Sequence, residues 1–121
     1  MAIPLTPETE GLIDAHALEA MKSTAFLINV ARGAIIDEKA LYQALKEGQI
    51  AGAAIDTWYQ YPGSDAKRMP ASLPFHMLDN VIMTPHTSGE TVQTVAARTC
   101  DIADNINRLI SDEQLHNIVY P

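Results

Sequence analysis

The sequence holds almost no cysteine. Cys100 is the only one among 121 residues, which excludes an internal disulfide and fits a reducing compartment. It falls in an expected helix and reads as a small packed thiol rather than a reactive one. Basic charge is also scarce: 8 Lys and Arg stand against 15 Asp and Glu, for a net charge of −7. Without a basic cluster to neutralise phosphates, nucleic acid is not an expected partner. No apolar run approaches the roughly 18 residues that would suggest a membrane span. The opening Met1-Ala2-Ile3-Pro4 lacks the basic region and apolar core of a signal peptide. These absences point to a soluble, cytoplasmic chain with no membrane partner.

What is present is ordinary globular composition, with 47% hydrophobic and 19% charged residues, which excludes a disordered chain. The length suits one compact domain spanning residues 1–121. Thr6-Pro7 opens a helical turn, a hydroxyl cap followed by proline. Asp14 caps a short helix whose Leu18 and Met21 share a face. The run Ala25-Phe26-Leu27-Ile28-Asn29-Val30 has strand length and does not alternate, so it is expected to be buried on both faces, as parallel strands are. Asp37 caps a helix carrying an apolar stripe of Ala40, Leu41, Ala44 and Leu45, and Gly48 ends it.

Gly52-Ala53-Ala54-Ile55-Asp56 is the second expected strand and Val81-Ile82-Met83-Thr84 the third, stopped by Pro85. Between them, Tyr59 to Asp79 holds three prolines and little periodicity, which predicts a long irregular loop. From about Glu90 to Ile110, Val92, Val95, Ala96, Ile102, Ala103, Ile106 and Leu109 recur on one face of a long helix. The order implies an α/β fold with a parallel sheet, flanking helices and a long C-terminal helix. Ile3-Pro4 resembles the end of a further strand, so the small sheet is expected to have an exposed edge and to be part of a larger domain.

Certain residues in this frame bear chemistry. Arg32 follows a buried strand, and ligands of open parallel sheets gather outside the carboxyl ends of the strands. A guanidinium there suits a bidentate carboxylate clamp. His86 leaves the third strand just after Pro85, and an imidazole titrates near neutral pH. Asp56 ends the second strand, where a buried carboxylate requires a partner or water. Taken one at a time, Arg32 reads first as a surface arginine and His86 as a structural or exposed histidine, and Asp56 can equally be a backbone cap. His16, His76 and His116 have no comparable context, and no metal site is assigned.

Pro4-Leu5-Thr6-Pro7-Glu8-Thr9 with Gly11-Leu12-Ile13, Ile28-Asn29-Val30-Ala31-Arg32-Gly33, Gly52-Ala53-Ala54-Ile55-Asp56-Thr57-Trp58 and Thr84-Pro85-His86-Thr87-Ser88-Gly89 occur in register along essentially the whole chain. Together they resemble the C-terminal part of the cofactor domain of the D-isomer-specific 2-hydroxyacid dehydrogenases. The resemblance implies a partial Rossmann-like sheet, NAD or NADP as cofactor, and a small 2-oxo or 2-hydroxy acid as substrate. It makes Arg32 the binder of the substrate carboxylate and His86 the general acid/base that protonates the carbonyl oxygen during reduction. Asp56 takes the contact with the nicotinamide carboxamide, the Ala31 backbone faces the nicotinamide, and Pro4, Leu5 and Thr6 border the cofactor. Some relatives are cofactor-sensing regulators, so a binding module without catalysis is the alternative.

The resemblance breaks at Tyr61, which stands where the family has a glutamate bonded to the catalytic histidine. A carboxylate would raise the histidine pKa, whereas a tyrosine hydroxyl brings no charge. Formate dehydrogenases, whose hydride transfer needs no proton, depart at the same position. Glu90, spaced by four from His86, is the candidate replacement. None of the six glycines forms G-x-G-x-x-G, and the residue that reads the ribose is absent too. The chain is therefore expected neither to bind NAD appreciably nor to catalyse alone, and to self-associate as a homo-oligomer through its open sheet.

Overall fold

A computed structural model describes residues 1–61 and 69–119. It divides into two compact units, Met1–Ser88 and Gly89–Pro121. The first unit is an α/β layer. Helix α1, Ala15–Glu19, precedes strand β1, Phe26–Asn29; helix α2, Glu38–Lys46, leads to strand β2, Gly52–Ile55; strand β3, Val81–Met83, closes the sheet. The three strands are parallel in the order β1-β2-β3, with Leu27 beside Ala53 and Ala53 beside Val81.

Local chemistry explains the element ends. The Asp14 carboxylate accepts from Ala17 N at 2.9 Å and that of Asp37 from Ala40 N at 2.8 Å, satisfying N–H groups a helix start leaves open. Gly48, at φ +68°, takes the left-handed turn that ends α2. In the turn after Thr6 the capping roles differ from expectation: the Thr9 hydroxyl accepts from Thr6 N at 2.8 Å and donates to the Pro4 carbonyl at 2.8 Å.

The core lies on one face of the sheet, where Leu27, Ala53 and Ile55 meet Leu18, Leu41 and Leu45 of the helices. The other face corrects the expectation of a strand buried on both sides. In β1, burial alternates: Phe26 and Ile28 are 71% and 56% exposed, as is Ile82 of β3 at 67%. Helices α1 and α2 form a single layer against the opposite face, so alternate side chains of β1 lack cover from the described residues of this unit. Pairing at the β1 edge falls on Met1 rather than Ile3-Pro4: the Met1 amine donates to the Ile28 carbonyl, and Val30 N donates to the Met1 carbonyl at 3.2 Å.

The connection after β2 is more ordered than expected over its described part (residues 62–68 of the expected loop lie outside the described residues). A short 3-10 turn, Phe75–Met77, seats Phe75 in the core at 1% exposure. Its ring meets Tyr42 edge-on at 5.3 Å and Trp58 at 5.8 Å. Glu38 accepts from the backbone N–H groups of Ser72 and Leu73, tying the returning chain to the first turn of α2.

The second unit is built on helix α3, Val92–Ile110, capped by Thr91, whose hydroxyl accepts from Thr94 N at 3.0 Å. Near its end Arg108 bonds Asp104 at 2.8 Å, and the Asn105 side chain holds the backbone of His116. No residue of α3 is buried, and Cys100 is exposed, which corrects the expectation of a packed thiol: on a helix with no buried residue, the thiol stays at the surface. No helix of the described residues is long and apolar enough to cross a membrane.

Candidate active site

The carboxyl ends of β1, β2 and β3 open on a cleft of about 460 Å³. Arg32, Gly33 and Ala34 line it from the end of β1, Trp58, Tyr59 and Tyr61 from the end of β2, His86 from the end of β3, and Leu5 from the N-terminal loop. Parallel strands make this convergence automatic, because all three chains leave the sheet on the same side.

Each wall is fixed by hydrogen bonds. At the end of β1, Asn29 is fully buried. Its side-chain oxygen accepts from Ala31 N at 3.0 Å and its Nδ2 donates to the Arg32 carbonyl at 3.0 Å, so it sets the turn that exports Arg32. The guanidinium uses one donor on the Ala31 carbonyl at 2.7 Å and has no acidic partner among the described residues. A guanidinium has five N–H donors, so most of its fork faces the exposed side of the turn without a partner there. Gly33 is required by close approach: a Cβ at this position would sit 2.5 Å from the Trp58 carbonyl oxygen.

At the end of β3, His86 is exposed and adopts φ 60°, the left-handed region a side chain rarely takes. Its flanks are held. Trp58 Nε1 donates to the Thr84 carbonyl at 3.0 Å. Asp56, 4% exposed, accepts from Thr84 Oγ1 at 2.6 Å and Thr87 N at 3.0 Å on one oxygen, and from Ser88 N at 3.1 Å and Ser88 Oγ at 2.6 Å on the other. Burial pushes the Asp56 pKa upward, but the Ser88, Thr84 and Thr87 donors outweigh it and bring it down to about 2. The Tyr61 ring stands 6.0 Å from that of His86, tilted by 49°. Among the described residues of this unit, no carboxylate hydrogen-bonds the imidazole.

Of the residues singled out from sequence, Arg32, His86, Leu5 and Tyr61 line the cleft together. Ala31, Asp56, Pro4 and Thr6 do not; Ala31 and Asp56 lie behind the walls, buried. The sequence reasoning missed Asn29, Gly33, Trp58, Thr84 and Ser88. A polar Asn29 inside an apolar strand was the available signal for the first; the others depend on contacts far apart in the chain.

A nicotinamide fits this donor set at its carboxamide end. The Asp56 carboxylate, with about four lone-pair positions, has all of them taken, but the Thr84 and Ser88 hydroxyls and the Ala31 carbonyl retain free lone pairs. The pyrophosphate end has no glycine-rich seat in this sequence.

Residues 1–88 match the family model described as D-isomer specific 2-hydroxyacid dehydrogenase, NAD binding domain. The chain is 40% identical over 117 residues to the D-3-phosphoglycerate dehydrogenase of Methanocaldococcus jannaschii, covering 97% of this chain and 21% of that protein. It is 46% identical over 91 residues to the glyoxylate reductase of Thermofilum pendens, covering 75% of this chain and 25% of the relative. Among solved structures, the D-isomer specific 2-hydroxyacid dehydrogenase of Xanthobacter autotrophicus Py2, in complex with NADPH and MES, superposes with a TM-score of 0.75 at 39% identity, over 99% of this chain and 46% of that one. The D-lactate dehydrogenase of Lactobacillus jensenii with NAD+ superposes at 0.79 and 28% identity, over 98% and 38%. The chain thus spans only about a fifth to a quarter of the curated relatives named here. By fold, family match and relatives alike, it belongs to the D-isomer-specific 2-hydroxyacid dehydrogenases, as part of their NAD-binding domain.

Proposed function

We propose that this chain is the chemistry-bearing segment of an oxidoreductase that interconverts a small 2-oxo acid and its 2-hydroxy acid with NAD or NADP. The observation that carries the reading is the meeting of Arg32 and His86 on one cleft, from strands far apart in sequence. Arg32 pairs with the substrate carboxylate through its free N–H fork, which orients the carbonyl toward His86. When bound, the reduced nicotinamide supplies the hydride to the carbonyl carbon. His86, protonated, gives its proton to the carbonyl oxygen, so the alcohol forms neutral; in the oxidative direction it takes that proton back. The Ala31 backbone, Asp56 and its hydroxyl donors serve the nicotinamide end, and Pro4, Leu5 and Thr6 border it.

Residues 1–121 read together as one incomplete dinucleotide-binding domain of a cytoplasmic enzyme. The chain alone neither binds NAD appreciably nor turns over, and it self-associates. The lack of a phosphate-binding turn supports the first of these, and the uncovered apolar face of β1 and β3 supports self-association. Turnover by the intact protein with glyoxylate, hydroxypyruvate or pyruvate and either reduced cofactor tests the reading. Tight cofactor binding without turnover of any 2-oxo acid would instead favour a cofactor-sensing module, for which Tyr61 in place of a carboxylate beside His86 is the specific observation.

A further inference from the structure

His86 occupies a backbone conformation that costs free energy, on an exposed segment, at the position from which it must deliver a proton. A non-glycine residue in the left-handed region is strained, and it persists only where the surroundings hold it. The holding groups are identifiable. Thr84, Thr87 and Ser88, which bracket His86, send four hydrogen bonds to the two oxygens of Asp56, two to each. Two are short hydroxyl–carboxylate bonds of 2.6 Å, the strong charge-assisted kind. Asp56 is itself immobile: it is buried at the end of β2, and its own N–H donates to the Asn29 carbonyl at 3.0 Å. It does not line the cleft, and its acceptor capacity is used up inside the protein.

We propose that Asp56 is a positioning residue for His86, latching the Thr84–Ser88 segment to the sheet so that the imidazole faces the cleft, with the Thr84 and Ser88 hydroxyls as the two halves of the latch. This deepens the reading of His86 as the proton donor and rests on it. Contact with the nicotinamide then belongs to the outward lone pairs of those hydroxyls and to Ala31, with Asp56 acting from behind. The carboxylate's depressed pKa agrees with a group that stays charged under this load.

The test leaves Asp56 in place and removes its donors. In the intact enzyme, Thr84→Val with Ser88→Ala is compared with the conservative pair Thr84→Ser with Ser88→Thr, which keeps both hydroxyls. Three quantities are read: kcat at saturating cofactor and oxo acid, the cofactor Kd by fluorescence titration, and the His86 ring resonances by NMR. The latch predicts that the first pair lowers kcat by about 10²-fold even at saturating cofactor, the cost of a displacement near 1 Å, and shifts the His86 resonances, while the lost hydroxyl contacts raise the cofactor Kd separately. The conservative pair restores all three toward wild type. Wild-type kcat and unmoved His86 resonances in the first pair would overturn the latch, as would a loss expressed only in the cofactor Kd. Because Thr84 and Ser88 are exposed, Ser88→Ala alone carries the same comparison if the double variant folds poorly. A failure of the underlying reading is separable: His86→Gln would then keep full kcat, while the NMR shift in the double variant would still report the latch.

Discussion

Asn29 Nδ2 donates to the Arg32 carbonyl at 3.0 Å from a fully buried position, so a core residue fixes where a surface cation leaves the sheet. The same side chain accepts from Ala31 N. Replacing it with alanine strips partners from a buried N–H and a neighbouring carbonyl, at a cost of about 1–3 kcal/mol. Asn29→Ala in the intact protein is expected to lower the unfolding free energy by that amount and to raise KM for the oxo acid. Calorimetry and steady-state kinetics on one preparation check both; an unchanged KM would show that the turn holds Arg32 without Asn29.

Arg32 is expected to act as a fork rather than as a point charge. Lysine keeps the charge and loses bidentate geometry. Arg32→Lys should therefore raise KM for the 2-oxo acid about 10- to 100-fold, the worth of a charge-assisted hydrogen bond, with the cofactor Kd unaffected. Initial rates over a range of oxo acid concentrations measure it, and a KM within twofold of wild type would remove Arg32 from substrate binding.

Phe75 joins the aromatic packing beneath the cleft, touching Tyr42 and Trp58 from the connection between β2 and β3. Phe75→Ala is expected to destabilise by about 3–5 kcal/mol through the cavity it leaves. Since Trp58 anchors the Thr84 carbonyl, the loss should also appear as quenched or shifted fluorescence of Trp58, the only tryptophan. Chemical denaturation followed by that fluorescence reads both. A change under about 1 kcal/mol would mean that Phe75 is not part of the core.

Asp56 imposes an acid limit on stability. Its folded pKa is about 2, below the roughly 3.9 of an unfolded aspartate. The unfolded chain therefore binds the proton more readily, so the contribution is fully present above about pH 4 and is lost as pH falls toward 2. Urea midpoints taken between about pH 5 and pH 2 should fall more steeply for wild type than for Asp56→Asn. Parallel curves would show that the carboxylate gains nothing from its four donors.

Much of this architecture was legible in the residues. Asp14 and Asp37 announced their helices because capping is local chemistry, and a parallel sheet followed from the succession of strands, helix and crossover. The placement of Arg32 and His86 followed from their positions just past strand ends. What the sequence concealed was non-local. Phe75 sat in a stretch without periodicity, since a single anchoring ring leaves no repeat to detect. The donors on Asp56 lie 28 to 32 residues away in the chain, and no spacing rule connects them. The apolar run from Ala25 to Val30 suggested burial on both faces, yet burial depends on what covers each face, and the described residues of the first unit cover only one.

The central claim is that His86 moves the proton in the interconversion of a 2-oxo and a 2-hydroxy acid. The most direct measurement is kcat of His86→Gln in the intact enzyme, at saturating cofactor and oxo acid, with the cofactor Kd measured beside it. The account predicts a loss of about 10²- to 10⁴-fold in kcat with Kd unchanged within about twofold. Turnover near the wild-type rate would contradict it.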